Sequence, residues 1–567
     1  MIGSADAMPA STSAGPGDRG RRARAALLAG YLALSFAIYW PSFSGGPISD
    51  DYLLILNPWV SNPTPEHLLE ILDPHSQVTL LLRNYAPMRA LVQALEWQLF
   101  PRNTYLFHGA NAVAHALACW LLALLLRQAG LSGLAAALGG AFVLVHPALV
   151  EAIAWMSQIW NPLGLALGAG ALLAQRRRPA LALALFVLAL LTRPTAVSFL
   201  PVALLREWSW RRSQPAPAAA RRALWLAAWT LALLAVGTAE LSTFHESGAA
   251  ARLVPYPDAA AKARTLVADF GRYLAMAATG FGVSAFQEPR VARSWLDPWW
   301  LFGLAAGLAI AVRSALCLVR GREEAAWWAW AVAAFVPISQ LFPFLYPTAD
   351  RYLYFILPGL VGAVLLAGRE LASRLAAAQR EPAARLATAG ALAALVALAL
   401  ASHSRAAIWT SEDNVHRDSA RHFPHGVLAN LQAARRAGSQ GDIDGAVEAL
   451  EACRARGWDF YSILLTDKAF EPVRNAPAFQ ALIGRFADDL IEVETHREQK
   501  TQLDWLNLGQ AYELRKRWDE AAAALERGIA LGGPSDALLK LELARARAPT
   551  PPDPAAIFGP AAPPEGK

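Results

Sequence analysis

The chain has 567 residues, of which 55% are hydrophobic and only 17% charged, and its mean hydropathy is positive. Soluble domains carry nearer a quarter charged residues, so this composition excludes an ordinary soluble protein and calls for long apolar spans. The net charge of +6 does not mark a nucleic-acid binder, because the basic residues cluster in short stretches between apolar runs, where the positive-inside rule accounts for them.

Arg outnumbers Lys about 45 to 6 in an alanine-rich chain, a composition that points to a GC-rich, bacterial source. Twenty tryptophans suit the many membrane–water interfaces of a polytopic protein. Cys119, Cys317 and Cys453 show no metal-ligand spacing and cannot form a disulfide framework, so they are expected to be small buried hydrophobes.

In chain order, residues 1–24 are rich in Gly, Ala, Ser, Pro and Arg and are expected to be disordered. Arg19, Arg21, Arg22 and Arg24 precede an apolar run over 25–40, which ends in Tyr-Trp-Pro without a cleavage site and reads as an uncleaved first span. Further runs lie at about 108–126, 132–148, 154–174, 179–192, 195–205, 223–243, 299–318, 325–345, 352–368 and 386–402. The short segment 273–287 is ambiguous. If it does not cross, cytoplasmic loops hold about one basic residue in three and outer loops about one in thirteen, the asymmetry that orientation requires. The expected topology is therefore eleven spans over residues 25–403, with the N-terminus in the cytoplasm. The loop at 44–107, the turn at 346–351 and the C-terminal tail then share the outer face, periplasmic in a bacterial inner membrane.

Past residue 403 the charge rises and the apolar positions take helical spacing. Trp505, Leu508, Gly509, Tyr512 and Ala521 fall at tetratricopeptide (TPR) offsets, and Gly441, Ala446 and Leu450 repeat part of that pattern. Residues 404–548 are expected to form a TPR-type α-solenoid, and 549–567, rich in Pro and Ala, a disordered end. The fold class is all-α: a polytopic helical membrane domain followed by a soluble helical-repeat domain.

The adjacent carboxylates Asp50 and Asp51 stand just past the first span, where a substrate from lipid could meet one from water. His146, Glu151, Arg193, Asp350 and Arg351 lie at outer span ends, where an ionisable group near hydrocarbon is a functional candidate by default. His146 and Glu151 lack a zinc-binding spacing, and no metal site or cofactor is indicated, although a divalent ion could serve at Asp50 and Asp51.

The ordered segments SDDYLLILN, NYAPMRALVQALEWQLF, YLFHGANAVAHAL, HPALVEAIAWMS, ADRYLYFILP and IWTSEDNVHRDSARHFP, running into helical repeats, resemble the transmembrane and TPR-containing O-mannosyltransferases and their bacterial relatives, within the GT-C superfamily. The resemblance spans roughly residues 25–550 and implies a GT-C core using a polyprenyl-phosphate-linked sugar. It implies Asp50 as general base, with Asp51 its neighbour. The chain departs from the family at Tyr85-Ala86-Pro87, where Tyr-Arg-Pro is usual, at Thr192-Arg193-Pro194, and at Gln158-Ile159-Trp160-Asn161.

Loss of a lipid phosphate expels a weakly basic anion, so one carboxylate suffices as base and no general acid is required. A fixed cation should balance the departing phosphate; Arg351 and Arg193 are the first candidates, Arg89 and Arg83 the reserves. The expected activity is sugar transfer, mannose-like, to protein Ser/Thr outside the cytoplasm, with the tail binding the protein or peptide acceptor. A non-catalytic membrane-anchored TPR scaffold and a lipid-linked substrate transporter are the alternatives, the latter wanting charges or broken helices at mid-membrane.

Overall fold

A computed structural model describes residues 16–211, 216–246, 256–288, 290–341, 347–459 and 461–549, and every regular element among them is helical. Among the described residues, six helices are long and apolar enough to cross a bilayer: Gly20–Ser42, Thr104–Gln128, Arg222–His245, Pro298–Val319, Asp350–Ser373 and Ala377–Thr410. A bent pair, Gly133–Leu144 with Pro147–Ala154, makes a seventh. Leu224, Leu231, Leu386 and Leu400 project outward from two of these helices at 67–77% exposure. So much apolar surface on a folded chain is tolerable only against lipid. The protein is thus a polytopic α-helical membrane protein.

The runs expected at 154–174, 179–192 and 195–205 are helical but short. They form Trp160–Ala174 after a 3₁₀ turn, Pro179–Thr192, and Phe199–Arg211 after a second 3₁₀ turn. The run at 325–345 yields Glu324–Phe335 and a 3₁₀ turn, with residues 342–346 outside the described residues. Several of the expected runs are thus shorter helices, broken or restarted at Pro147, Pro194 and Pro337. The first helix already begins at Pro16, so residues 16–24, expected to be disordered, are helical; proline suits the first turn and arginine propagates a helix well. Residues 1–15 and 550–567 lie outside the described residues.

The ambiguous segment resolves into two parts. Ala259–Thr279 is a helix closed by Gly280 in the left-handed conformation, and 281–288 is an irregular strap with no helix in it. Glycine suits that closing position because it takes positive φ without a Cβ clash.

The loop 44–107 folds on its own small core of Trp59, Val60, Ile71, Val78, Ala90 and Ala94. Its short helices start where Asn57, Thr64 and Ser76 accept the backbone N–H of Val60 (3.1 Å), His67 (3.2 Å) and Thr79 (3.3 Å). These side chains satisfy donors that a helix start otherwise leaves free.

The tail is a run of packed helices with a separate core around Leu431, Leu450, Phe470, Phe479 and Leu482. Gly509 allows the close approach of its partner helix: a Cβ there would meet Leu525 at 2.7 Å. Ala446, Leu450 and Ala521 are fully buried, and Gly441 turns the chain at φ +75°.

The tail is stitched to the membrane domain through the strap. Ser284 N–H donates to Asp350 (2.8 Å), and Ala285 N–H donates to Asp418 on the tail's Glu412–His422 helix (2.8 Å). Arg405 stands between the two carboxylates, 3.8 Å from Asp350 and 3.4 Å from Asp418. Ser419 Oγ donates to Phe286 O at 2.9 Å. Cys119, Cys317 and Cys453 are free and buried.

Candidate functional site

Asp50 lies just past the C-terminal end of the first span, in the turn that starts the one-turn helix Asp51–Leu54. The turn needs an unusual backbone: Ser49 takes φ +48°, and its N–H is held by Glu412 of the tail at 3.0 Å. The chain then separates the two carboxylates completely. Asp51 is fully buried and accepts the backbone N–H of Ile48 (3.0 Å) through one oxygen and of Ser157 (2.9 Å) through the other. Burial nonetheless pushes its carboxyl up to about 7. Asp50 is half-buried, and its side chain makes no hydrogen bond or ion pair with any described residue. Its carboxyl is raised above the usual range by burial, and the charges of Arg351 and then Arg89 pull it back.

Those two arginines come from distant parts of the chain, and Arg193 joins them. Arg351 opens the Asp350–Ser373 span; its backbone N–H donates to Glu151 at 2.8 Å and its guanidinium pairs with the other oxygen of the same carboxylate. It also stands over the rings of Trp155 (5.6 Å) and Tyr352 (5.3 Å). Arg193 follows Pro179–Thr192 and lies 4.4 Å from the Trp160 ring, with Nε on Thr195 Oγ1 at 3.1 Å. Arg89, on the Pro87–Leu99 helix, meets the same indole at 4.7 Å. Trp160 is therefore a platform shared by two guanidinium groups, which a ring quadrupole attracts. The charge of Arg193 is felt against those of Arg351, Arg89 and Glu151, so all three arginines share one neighbourhood.

This neighbourhood is short of acceptors. Arg89 is 1% exposed and Arg193 5% exposed. Nε and Nη1 of Arg89 and Nη1 of Arg193 have no hydrogen-bond partner among the described residues. Buried charged donors left unpaired are costly, and an anion is the group that would satisfy them.

The turn beneath is densely hydrogen-bonded. Asn111 Nδ2 donates to the carbonyls of Ile153, Trp155 and Met156, each at 3.1 Å, and Gln93 Nε2 donates to Ser157 O at 3.1 Å. Gln158 Oε1 accepts from Trp160 Nε1 (2.7 Å) and Asn161 (2.9 Å). Trp155 stacks on Trp409 at 5.3 Å and donates to Ile48 O at 3.3 Å.

The remaining candidates lie around this centre. Glu151 is the partner of Arg351. Asp350 faces the strap and Arg405, accepting from Gln287 at 2.7 Å as well as from Ser284. His146 is fully buried: Nδ1 accepts the Ala148 N–H (3.3 Å) and Nε2 donates to Ala277 O (3.2 Å), so it braces the bend after Gly133–Leu144. Tyr85 sends its hydroxyl to Leu72 O (2.9 Å), within the loop 44–107, while its backbone N–H donates to Glu240 at 2.5 Å. Arg83 sits at φ +56° at the end of Gln77–Leu82. Among the described residues, no three His, Cys, Asp or Glu side chains stand together in a way that could hold a metal.

Two residues here were not anticipated from the sequence. Glu240 lies within electrostatic reach of Arg89, and its signal was available: an acid inside the apolar run 223–243. Trp160 carried no signal, being one of twenty tryptophans.

No family model matches the chain, and no curated protein matches its sequence. Among solved structures, the chain is similar to ArnT from Cupriavidus metallidurans bound to undecaprenyl phosphate, at 13% identity and a TM-score of 0.33, over 94% of this chain and 87% of that one.

Proposed function

We propose that the protein is a GT-C-type membrane glycosyltransferase that moves a sugar from a polyprenyl-phosphate carrier to an acceptor hydroxyl on the non-cytoplasmic face. The observation that carries this reading is the pairing of one uncommitted carboxylate, Asp50, with buried arginines whose donors are unsatisfied. An acid without a partner can accept a proton, and guanidinium groups without acceptors can hold a phosphate.

The acceptor oxygen attacks the anomeric carbon while the bond from that carbon to the phosphate oxygen breaks. The departing phosphate keeps the bonding electrons, and the hydroxyl proton passes to Asp50. Arg193 and Arg89 receive the phosphate from above the Trp160 face, and Arg351, already held by Glu151, adds a third positive charge. Arg89 here supplies a positive charge close to the place where the family's Tyr-Arg-Pro has its arginine and this chain has Ala86. Asp51 acts by fixing the turn that presents Asp50, through the amides of Ile48 and Ser157.

Mannose is the proposed sugar and protein Ser/Thr the proposed acceptor class. The tail is read as a TPR-type surface that brings the acceptor peptide close to Asp50; its contact with Ser49 supports that reading. The bacterial inner membrane, with the tail in the periplasm, is the proposed location.

The test uses full-length purified protein with radiolabelled polyprenyl-phosphate sugars. Wild type should transfer label to a peptide acceptor, and Asp50→Asn should lose about 10²–10⁴-fold in rate. Wild-type transfer by a folded Asp50→Asn protein removes Asp50 as the base.

A further inference from the structure

At the opposite end of the helix bundle from Asp50 lies a cavity of about 1290 Å³. Arg24, Arg127, Arg176, Arg177 and Arg222 line it, together with alanines and leucines including Leu27, Leu124 and Leu173. No carboxylate lines it among the described residues. The five arginines come from four helices, Pro16–Tyr39, Thr104–Gln128, Trp160–Ala174 with its following turn, and Ala216–Glu246.

The positive-inside rule explains why arginines lie at this face, but not why they converge on one cavity. Elsewhere on the same face Arg374 and Arg322 pair with Glu370, Arg385 with Glu381, and Arg206 with Glu323, while Arg369 and Arg380 reach main-chain carbonyls. Around the cavity five arginines converge and one of them meets an acid. Arg24 and Arg127 reach only main-chain carbonyls, Gly20 O at 3.1 Å and Leu131 O at 2.8 Å. Arg176 lies 4.4 Å from the Trp210 ring, and Arg177 has no side-chain hydrogen bond or ion pair with a described residue. Arg222 alone meets an acid, Glu207, at 3.4 Å.

We propose that this cavity binds the phosphate headgroup of an anionic phospholipid, with the proximal acyl chain lying along the leucine and alanine walls. Guanidinium forks match phosphate oxygens in geometry as well as charge, and basic pockets between spanning helices on the inner face select anionic headgroups. The apolar walls favour a lipid over a soluble anion. The inference does not depend on the chemistry at Asp50.

Thermal unfolding of the full-length, delipidated protein in a neutral detergent tests it. Phosphatidylglycerol, phosphatidylcholine and inorganic phosphate are compared at matched concentrations. Phosphatidylglycerol should raise Tm by several degrees, with phosphatidylcholine and inorganic phosphate near zero. Arg127→Gln and Arg177→Gln should each weaken the phosphatidylglycerol effect about tenfold or more in concentration. Arg320→Gln, on the same face but outside the cavity, should leave it intact. Equal stabilisation by inorganic phosphate overturns the lipid assignment. An unchanged phosphatidylglycerol response in both cavity variants overturns the site. If either variant is unstable without lipid, native mass spectrometry of the other, counting retained phosphatidylglycerol, decides the same question.

Discussion

Asp50 and Asp51 are indistinguishable as letters, yet the fold gives them different surroundings. Asp51 spends both oxygens on backbone amides. Asn at 51 would turn an NH₂ toward one of those N–H groups, so Asp51→Asn should lower Tm together with activity, whereas Asp50→Asn should lower activity and spare Tm. Calorimetry on both variants distinguishes the roles. The pH profile gives a second check. Burial raises the Asp50 carboxyl, and the charges of Arg351 and Arg89 lower it. Removing a lowering charge raises the carboxyl further, and a base works only when deprotonated. Arg89→Gln should therefore move the acid limb of kcat/KM to higher pH, beyond its loss in rate. An unmoved or lower limb would separate Arg89 from Asp50. The sequence showed the acid pair and the three arginines, because charges near hydrocarbon stand out. It could not show which acid was committed, since that depends on amides 106 residues away at Ser157.

At the scale of elements, the site rests on a turn with little regular structure. Asn111 holds three of its carbonyls from the Thr104–Gln128 helix. Asn111→Ala should cost about 1–3 kcal/mol, read in Tm, and should reduce activity by releasing Trp155 and Trp160. Close helix packing is equally exacting. A Cβ on Gly362 would lie 1.9 Å from the Trp327 ring, and one on Gly359 would lie 2.5 Å from Ala331 N. Gly362→Val should therefore part the Glu324–Phe335 and Leu353–Ser373 helices and reduce the monodisperse fraction after extraction, while Gly368→Val, where a Cβ meets nothing within 4 Å, should not. Long apolar helices were legible from hydropathy alone. The breaks in the shorter runs were not, because hydropathy records apolar length and not the prolines and tertiary contacts that end a helix early.

For the whole molecule, the arginine asymmetry together with an odd number of crossings predicts that the N-terminus and the tail face opposite compartments. Reporter fusions at Arg22 and Lys567 should report different sides, and identical reports would require an even number of crossings. The strap at 281–288 bears on a different question, how such a protein could be recombined. Neighbouring amides of Ser284 and Ala285 are gripped by one acid from each domain, and Glu412 of the tail reaches the residue before Asp50. The tail is thus not an appendage that can be exchanged at a linker. A chimera joined at residue 404 inherits foreign partners for Asp350, the strap and Ser49 all at once. One that carries 281–288 and 405–428 along with the native membrane domain preserves the joint. Horizontal shuffling of the tail alone should leave inactive products, so the boundary across which this architecture can be inherited lies inside the helical tail, beyond its first helix.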